Sequence, residues 1–264
     1  MTLVTLVDRL VSLPLSEAEV ISWGCPVLSF GDLANSRVAT LGLNPSSREF
    51  VDGTGAELEG TFRRFHTLNS LGIESWLDVD ARHLHLILDS CRSYFLGNPY
   101  DRWFRVLDQV VSGAGASFYD ESRAACHLDL VPYATACKWT ELTAHQRSLL
   151  LDVACDTLGL LLRDSPVRIL ILNGSSVVEQ FQGVTGTCLE RREMPAWSLM
   201  RAPKPDIVGV SYKGMVCKVA GVTLPQEIKV LGYNHNLQSS FGVTKRVVSA
   251  IRDWISLEVS EALA

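Results

Sequence analysis

Residues 38–46 read Val38-Ala-Thr-Leu-Gly-Leu-Asn-Pro-Ser46, a short apolar segment that passes directly into a polar turn. A short apolar run with β-branched residues is typical of a buried parallel strand. Three further runs of this kind occur at residues 128–131, 169–172 and 228–231. Helical patterns lie between the runs, and the clearest covers residues 144–163 and begins with the capping-box sequence Thr143-Ala-His-Gln146. Strands that alternate with helices predict a parallel sheet covered on both faces.

The predicted fold is therefore α/β, a three-layer α-β-α sandwich with a central, mainly parallel four-stranded sheet. Residues 208–212 and 215–219, joined around Lys213-Gly214, predict a hairpin appended before the last strand. Further helices are predicted at residues 1–15, 102–111 and 244–257. The length of 264 residues suits one domain. We expect a single domain over residues 1–264, with an N-terminal helical segment at about 1–30 and a helical insertion at about 53–125.

Composition places the chain among ordinary globular proteins, because 47% of its residues are hydrophobic and 20% are charged. No apolar run in the sequence is long enough to span a bilayer. Asp8 and Arg9 interrupt the first apolar stretch, which also lacks a basic leader, so we expect no signal peptide and a cytoplasmic protein. The net charge of −5 counts weakly against a nucleic-acid partner, since local clusters decide phosphate contact.

Seven cysteines are scattered along the chain, and no two of them are spaced as Cys-x-x-Cys. This pattern argues against a disulfide framework, a zinc site and an iron–sulfur cluster. We expect reduced, mostly buried thiols, and neither a metal nor a cofactor.

Polar segments follow all four predicted strands. They are Asn44-Pro-Ser-Ser47, Pro132-Tyr-Ala-Thr135, Asn173-Gly-Ser-Ser176 and Gly232-Tyr-Asn-His-Asn236. Ligands of open α/β sheets bind beyond the carboxyl ends of the strands, so we expect these segments to converge on one cleft. This arrangement predicts a site and leaves its chemistry open, because many activities share the fold.

The motifs at three of these strand ends resemble those of the uracil-DNA glycosylase superfamily, in the branch with an Asn-Pro motif. Residues 38–46 are similar to its first motif, which is a strand, a Gly and then Asn-Pro at the catalytic turn. His127-Leu-Asp-Leu-Val-Pro132 lies where the family's second strand delivers the side chain that reads the flipped base. Residues 232–240 stand in the place of the last motif, a loop pressed into the minor groove, but lack its Pro-Ser. The resemblance covers roughly residues 38–254.

The resemblance implies a monofunctional DNA glycosylase, which extrudes a nucleotide from DNA and hydrolyses its N-glycosidic bond without a metal or cofactor. The superfamily includes prokaryotic anti-phage enzymes, which excise hypermodified cytosines and leave abasic sites. DNA with a flipped nucleotide is the implied partner. We expect a monomer that makes no contact with membranes.

Three side chains are candidates for the catalytic step. The amide of Asn44 can orient a water beneath C1′ of the sugar, which is also the role that the resemblance implies. The structural alternative is that Asn44 only tolerates a left-handed turn that Pro45 fixes. His235 can donate to O2 of the departing base. Glu49 can activate the water, but Ser46 and Glu49 also form a Ser-x-x-Glu capping box, and we favour that structural role for Glu49.

The candidate base-binding residues are Asp129, Ser46, Phe50 and Phe62. An ionised Asp129 can only accept hydrogen bonds, so it suits an amine such as N4 of cytosine and would be repelled by O4 of uracil. Asp129 could instead cap a turn or pair with an Arg, with His127 as the reader. The uracil-specific branch has a Tyr after the Pro, and Ser46 there leaves room for a substituent at C5. Phe50 or Phe62 could stack on the base, although Phe usually packs in the core.

Four further residues are candidates for contact with DNA. Leu237 resembles the apolar wedge that fills the space left by a flipped base, and Asn236 lies beside it. Ser175 follows a predicted strand, at the start of a helix whose N-terminus could hold a phosphate. Lys245 could also contact phosphate. An ordinary strand-to-helix turn and a solvated surface charge are the structural alternatives for the last two residues.

The leading hypothesis is a DNA glycosylase that excises a C5-modified cytosine, such as glucosylated 5-hydroxymethylcytosine in phage DNA, as an antiviral defence. One alternative is a uracil or mismatch repair glycosylase. Another is a catalytically silent module that binds DNA or a partner, which the acidic pI of about 5.7 and the missing Pro-Ser favour. A Rossmann-like small-molecule enzyme ranks last, because the sequence contains no Gly-x-Gly-x-x-Gly and no P-loop motif.

Overall fold

The computed structural model describes residues 2–12, 17–201, 203, 205–238 and 242–263. The strands in this part of the chain are β1 (Val38–Gly42), β2 (Ala125–Asp129), β3 (Ile169–Asn173), β4 (Glu190–Glu193), β5 (Val210–Val219) and β6 (Val222–Tyr233). The helices are α1 (Thr2–Ser12), α2 (Leu68–Leu71), α3 (Ala81–Arg92), α4 (Asp101–Val111), α5 (Ala144–Ala154), α6 (Thr157–Arg163), α7 (Ser175–Thr185) and α8 (Lys245–Leu263). Short 3₁₀ helices include Ser47–Glu49, directly after the Asn-Pro turn, and Gly60–Phe62.

The six strands form one sheet in the order β2-β1-β3-β6-β5-β4. The first four are mutually parallel, whereas β5 is antiparallel to β6 and β4 is antiparallel to β5. Helices flank this sheet, so the predicted α-β-α sandwich with a mainly parallel sheet is confirmed, with six strands instead of four. The four parallel strands end at the same edge of the sheet, and this edge carries the predicted site residues.

The predicted hairpin within residues 208–219 is wrong. β5 is one uninterrupted strand, and the turn follows it at Ala220 and Gly221, which connect β5 to β6. Both turn residues have positive φ angles, 47° and 84°, which is the conformation that a tight two-residue hairpin turn requires. Lys213 and Gly214 lie in the middle of β5, where Gly214 leaves space for the side chain of Leu189. Gly214 therefore serves close packing in the sheet.

Strand β4 escapes sequence-based detection because its residues, Glu190-Arg-Arg-Glu193, are all charged and all exposed. The strand lies at the end of the sheet and pairs with β5. Charged side chains are typical of edge strands, where they discourage pairing with another chain. A wholly charged strand lacks the alternation of apolar and polar residues by which strands are usually recognised in a sequence.

The helix predicted at residues 144–163 is divided into α5 and α6, with Cys155 and Asp156 between them. The capping box of Thr143 and Gln146 at its start is confirmed. At the break, the Asp156 carboxylate accepts from both terminal nitrogens of Arg9 at 2.6 and 3.0 Å. This bidentate ion pair joins α1 to the break, a tertiary contact that helical periodicity does not show.

The predicted N-terminal helical segment is too long. Helix α1 ends at Ser12, and residues 17–37 contain no helix. This stretch pairs with the loop after β2 and with β2 itself through isolated bridges, of Val20 with Thr135 and of Phe30 with His127. Residues 17–37 therefore run along β2, at the edge of the sheet, and along the loop that follows it.

The cysteines are divided between the core and the surface. Cys25, Cys91 and Cys126 are buried, whereas Cys155, Cys188 and Cys217 are exposed, and all seven are free thiols. The expectation of mostly buried thiols is therefore wrong for the three exposed cysteines. In the described part of the chain, none of the helices has the length and apolarity needed to cross a membrane.

Candidate active site

The carboxylate of Asp129 lies over the backbone of Gly42 on the neighbouring strand. The two residues are partners in the parallel register of β1 and β2. A Cβ atom added to Gly42 would overlap Asp129 Oδ1 and would stand 2.9 Å from His127 Nε2. Asp129 itself is only 5% exposed. The glycine of the first motif therefore makes the room that a buried carboxylate occupies at the carboxyl ends of both strands.

Gly42→Ala should lower the free energy of unfolding by about 1–3 kcal/mol, because the added methyl group would push Asp129 out of its position. Urea unfolding measures this change. Gly183→Ala is the matched control, since a Cβ atom at this position in α7 meets open space among the described residues. The control should be neutral or stabilising by up to about 1 kcal/mol. Equal stabilities of Gly42→Ala and the wild type would contradict the position of Asp129.

His127 connects Asp129 to Thr40 inside the protein. His127 Nδ1 lies 2.7 Å from Thr40 Oγ1, and His127 Nε2 lies 3.5 Å from Asp129 Oδ1. The Thr40 hydroxyl can donate to Nδ1, which places the proton of a neutral ring on Nε2, facing the carboxylate. All three side chains are buried. His127 thus occupies Asp129 Oδ1, and among the described residues no hydrogen bond to Oδ2 is found.

Glu49 is a second buried carboxylate in this region and is 3% exposed. Its Oε2 accepts from Tyr94 Oη at 2.9 Å and from Arg64 Nη1 at 3.4 Å. Burial raises the pKa of Glu49 to about 7; Arg64 and Tyr94 oppose this effect, and the charge of Asp129 adds to it. A carboxyl group with a pKa near neutrality can accept and release a proton at physiological pH.

The structural role favoured for Glu49 is wrong. Ser46 does cap the 3₁₀ helix Ser47–Glu49, and its hydroxyl accepts from the backbone N–H of Arg48. The Glu49 carboxylate, however, turns away from the cap and into the protein, where it meets Tyr94. Glu49 is the third residue of this 3₁₀ turn, but its side chain does not return to the backbone N–H of Ser46, so the reciprocal half of the capping box is absent.

Asn44 is held by the loop that follows β2. Its Nδ2 donates to Thr135 Oγ1 at 2.9 Å and to the carbonyl of Pro45 at 3.1 Å. The Thr135 hydroxyl donates its own proton to the carbonyl of Cys137, so it can only accept from Asn44. The orientation of the amide is therefore determined, and Oδ1 is the atom that remains to accept a hydrogen bond from a water.

The last loop does not present its residues as predicted. His235 is 2% exposed, and its Nε2 donates to the carbonyl of Trp197 at 2.7 Å. Burial lowers the pKa of His235, so its neutral ring has one N–H, and that N–H is already donated to Trp197. Leu237 is 5% exposed and belongs to the core, so the predicted wedge at a loop tip is wrong in this conformation. Asn236 is exposed, and its Oδ1 accepts from the backbone of Gln238.

The N-terminus of α7 is partly covered by the same loop. The backbone N–H groups of Gly174 and Ser175 donate to the carbonyls of Tyr233 and Asn234. Asn236 lies next to Gly174, within 3.5 Å of the place of its missing Cβ. Two of the N–H groups that would face a phosphate are therefore already satisfied, which weakens the prediction that the Ser175 turn holds one.

The remaining candidates lie at different depths. Ser46 and Lys245 are exposed. Phe50 is 1% exposed and packs edge-on against Trp23, with 6.1 Å between the ring centroids, whereas Phe62 is 67% exposed. No described contact joins either ring to Asp129, so their stacking on a base stays a prediction.

Tyr94 and Arg64 bond Glu49, and Thr135 bonds Asn44, and sequence reasoning missed these three roles. Tyr94 is 45 positions from Glu49, so no local pattern links them. Arg64 and Tyr94 also line a polar cleft of about 260 Å³, together with His66, whose pKa burial lowers to about 4. The two side chains that bond Glu49 therefore also face a cleft on the surface.

Four side chains with complementary chemistry thus come from β2 and from the segment after β1: Asp129 and His127 belong to β2, Asn44 follows β1, and Glu49 ends the next 3₁₀ turn. They offer a carboxylate acceptor, an oriented amide and a group that titrates near neutrality. Within the described ranges, no three His, Cys, Asp or Glu side chains are placed to hold a metal ion. The cluster suits recognition of a hydrogen-bond donor and activation of a water.

The sequence matches no protein-family model and no curated protein. We therefore base the proposed function on the chemistry of the candidate active site.

Proposed function

We propose that this protein is a monofunctional DNA glycosylase that excises a C5-modified cytosine, such as glucosylated 5-hydroxymethylcytosine in phage DNA, as an antiviral defence. The observation that carries the proposal is the buried Asp129 carboxylate, which lies close enough to Glu49 to raise its pKa. An enzyme that acts on a base must extrude it and read its edge in a snug pocket. The resemblance of the Asn-Pro turn to the uracil-DNA glycosylase superfamily supports the same reaction.

Asp129 reads the base in this proposal. Because its Oδ1 faces His127 Nε2, Oδ2 accepts from the exocyclic amine of the flipped base. A carboxylate repels the O4 carbonyl of uracil, so this pocket selects a cytosine-type base. Ser46 is small and exposed at the turn, and it therefore leaves space for a substituent at C5.

Asn44 and Glu49 act on the water that replaces the base. Asn44 Oδ1 accepts from this water and holds it beneath C1′, while Nδ2 remains bonded to Thr135. The bond from C1′ to the base breaks with its electron pair on the base, and the water oxygen adds to the sugar cation. One water proton passes to Glu49, and the base leaves as an anion that solvent protonates.

Incubation with duplexes that carry 5-hydroxymethylcytosine or its glucosylated form should produce alkali-labile abasic sites, and a uracil duplex should stay intact. The reason is the acceptor-only chemistry of an ionised Asp129. Strand cleavage after alkali, resolved on a denaturing gel, measures the product. Asn44→Ala should be at least about 100-fold slower, because the water loses its orientation. Intact strands in every duplex would contradict the proposal, whereas cleavage of the uracil duplex alone would support a repair glycosylase.

A catalytically silent module that binds DNA or a partner is the second candidate. The last loop favours it, because the His235 N–H is donated to Trp197 and Leu237 is buried. Such a module should keep its affinity for DNA in Asn44→Ala and Asp129→Ala and should release no base at any protein concentration. A gel-shift assay beside the cleavage assay separates the two functions.

A further inference from the structure

Tyr94 lies between Glu49 and the segment that precedes α4. Its hydroxyl donates to Glu49 Oε2 at 2.9 Å and accepts from the backbone N–H of Tyr100, also at 2.9 Å. Both hydrogen-bonding directions of the hydroxyl are therefore used, and its proton is directed at the carboxylate. The segment of residues 98–104, which includes the start of α4, thus reaches the candidate active site through the backbone of Tyr100.

Arg64 contacts the same carboxylate from a different element. Its Nη1 donates to Glu49 Oε2 at 3.4 Å and to the backbone carbonyl of Arg48 at 2.8 Å. The guanidinium also lies over the ring of Tyr100, 5.4 Å from its centroid. Tyr100 therefore supports both groups that bond Glu49, one through its backbone and the other through its ring.

The ring of Tyr94 is fixed by an aromatic cluster. It is stacked on Phe65 with 5.3 Å between the centroids and an interplanar angle of 15°. Three more rings meet it at centroid distances of 5.0 to 5.6 Å, and these are Phe30, Phe95 and Phe104. Tyr94 is 2% exposed, so this packing sets the position of its hydroxyl relative to Glu49.

We propose that Tyr94 and Arg64, both held by Tyr100, form a clamp that favours the ionised form of Glu49 and places it to take a proton from the attacking water. This inference rests on the proposed function, since it assigns the clamp a purpose in base excision. Tyr94 and Arg64 are positioning residues, because they act on the substrate through Glu49. Tyr100 in turn gives the segment between α3 and α4 a role in catalysis.

The charges around Glu49 explain why a clamp is needed. Burial favours its neutral form, and so does the negative charge of Asp129 at the end of β2. The Arg64 guanidinium and the Tyr94 hydroxyl both favour the ionised form and lower the pKa. The Arg48 guanidinium is bonded elsewhere, to the backbone carbonyl of Asp52. Removal of either clamp residue should therefore move the pKa of Glu49 upward.

The test is the proton titration of Glu49 in Tyr94→Phe, which removes one hydroxyl and retains the ring. A hydrogen bond to a charged group of this kind corresponds to a pKa shift of about one unit. Infrared difference spectra against Glu49→Gln report the protonated carboxyl group directly. The excision rate should fall about tenfold at pH 6 and remain almost unchanged at pH 9, because the ionised fraction of Glu49 decreases only in the acidic range.

Tyr119→Phe is the matched control. Its hydroxyl donates to Asp101, and its ring contacts Phe95 in the same aromatic cluster, so the variant loses a hydroxyl that does not bond Glu49. Its pH profile should coincide with that of the wild type. Arg64→Gln should also raise the pKa of Glu49, and Arg64→Lys should partly restore it, which provides a second pair if Tyr94→Phe folds poorly.

The infrared and rate measurements separate failure of the clamp from failure of the proposed function. A Glu49 titration that coincides in the wild type, Tyr94→Phe and Arg64→Gln would overturn the clamp, whatever the excision rates are. An upward shift of both the titration and the rate profile supports the clamp and its role. The titration could also shift upward in a protein that excises no base. This result would show that Tyr94 and Arg64 lower the pKa of Glu49, but it would overturn both their role in excision and the proposed function.

Discussion

Asp129→Asn should change the base preference of the protein from modified cytosine towards uracil. The side chain keeps its shape, but the amide can donate to the O4 carbonyl of uracil, which the carboxylate repels. We expect excision of the modified cytosine to fall about 10- to 100-fold and excision of uracil to rise by a similar factor, since one good base contact is worth about 1–3 kcal/mol of discrimination. Single-turnover rates on two otherwise identical duplexes measure both changes.

The matched control for this exchange is Asp164→Asn. Asp164 lies on the surface in an ion pair with Arg163, and exposed pairs contribute little to stability. The control should leave both rates unchanged. If Asp129→Asn instead slows excision of every base by the same factor, Asp129 does not read the base, and His127 or another group does.

Glu49→Gln should slow excision about 10²- to 10⁴-fold at pH 8, which is the range that general acid–base catalysis contributes. The amide is similar in size but cannot accept a proton from the water. In the wild type the rate should rise as the pH passes through about 7, where the carboxylate forms, and this dependence should disappear in the variant. A pH series of single-turnover rates tests both effects.

Glu49→Gln should also change how the free energy of unfolding depends on pH. The pKa of Glu49 is raised on folding from 4.5 to about 7, so its contribution to stability is complete below pH about 4.5 and is lost as the pH rises through about 7. The difference corresponds to about 3 kcal/mol. Urea unfolding should therefore show that Glu49→Gln becomes more stable relative to the wild type between pH 5 and 8. Glu74→Gln, at an exposed position, should show no such gain; a parallel response of both variants would contradict the burial of Glu49.

The parallel part of the fold could be predicted because each strand carries its own signal. The runs that became β1 and β3 are mainly apolar and almost wholly buried, since helices cover both faces of the sheet. The antiparallel edge gave no comparable signal. Gly214 looks like a turn residue in the sequence, yet it packs in mid-strand, and β4 is wholly charged.

The position of a candidate site residue could be predicted where its side chain belongs to the same motif as the strand that places it. Asn44 and Asp129 follow directly from strand ends that meet in the parallel register. Glu49 was identified as a carboxylate near the turn, but its burial depends on Tyr94 and Arg64, which come from other elements. His235 and Leu237 were expected to be accessible because their loop is polar, and tertiary packing buried them. Such long-range contacts leave no local pattern in a sequence.

The most direct test of the central claim is detection of the released base by mass spectrometry. DNA in which cytosine is replaced by its glucosylated hydroxymethyl form would be incubated with the wild-type protein and with Asn44→Ala. We expect free modified base from the wild type, in amounts equal to the abasic sites formed, and release at least about 100-fold slower from the variant. Binding of the DNA with no free base at any protein concentration would show that the protein is not a glycosylase for this base.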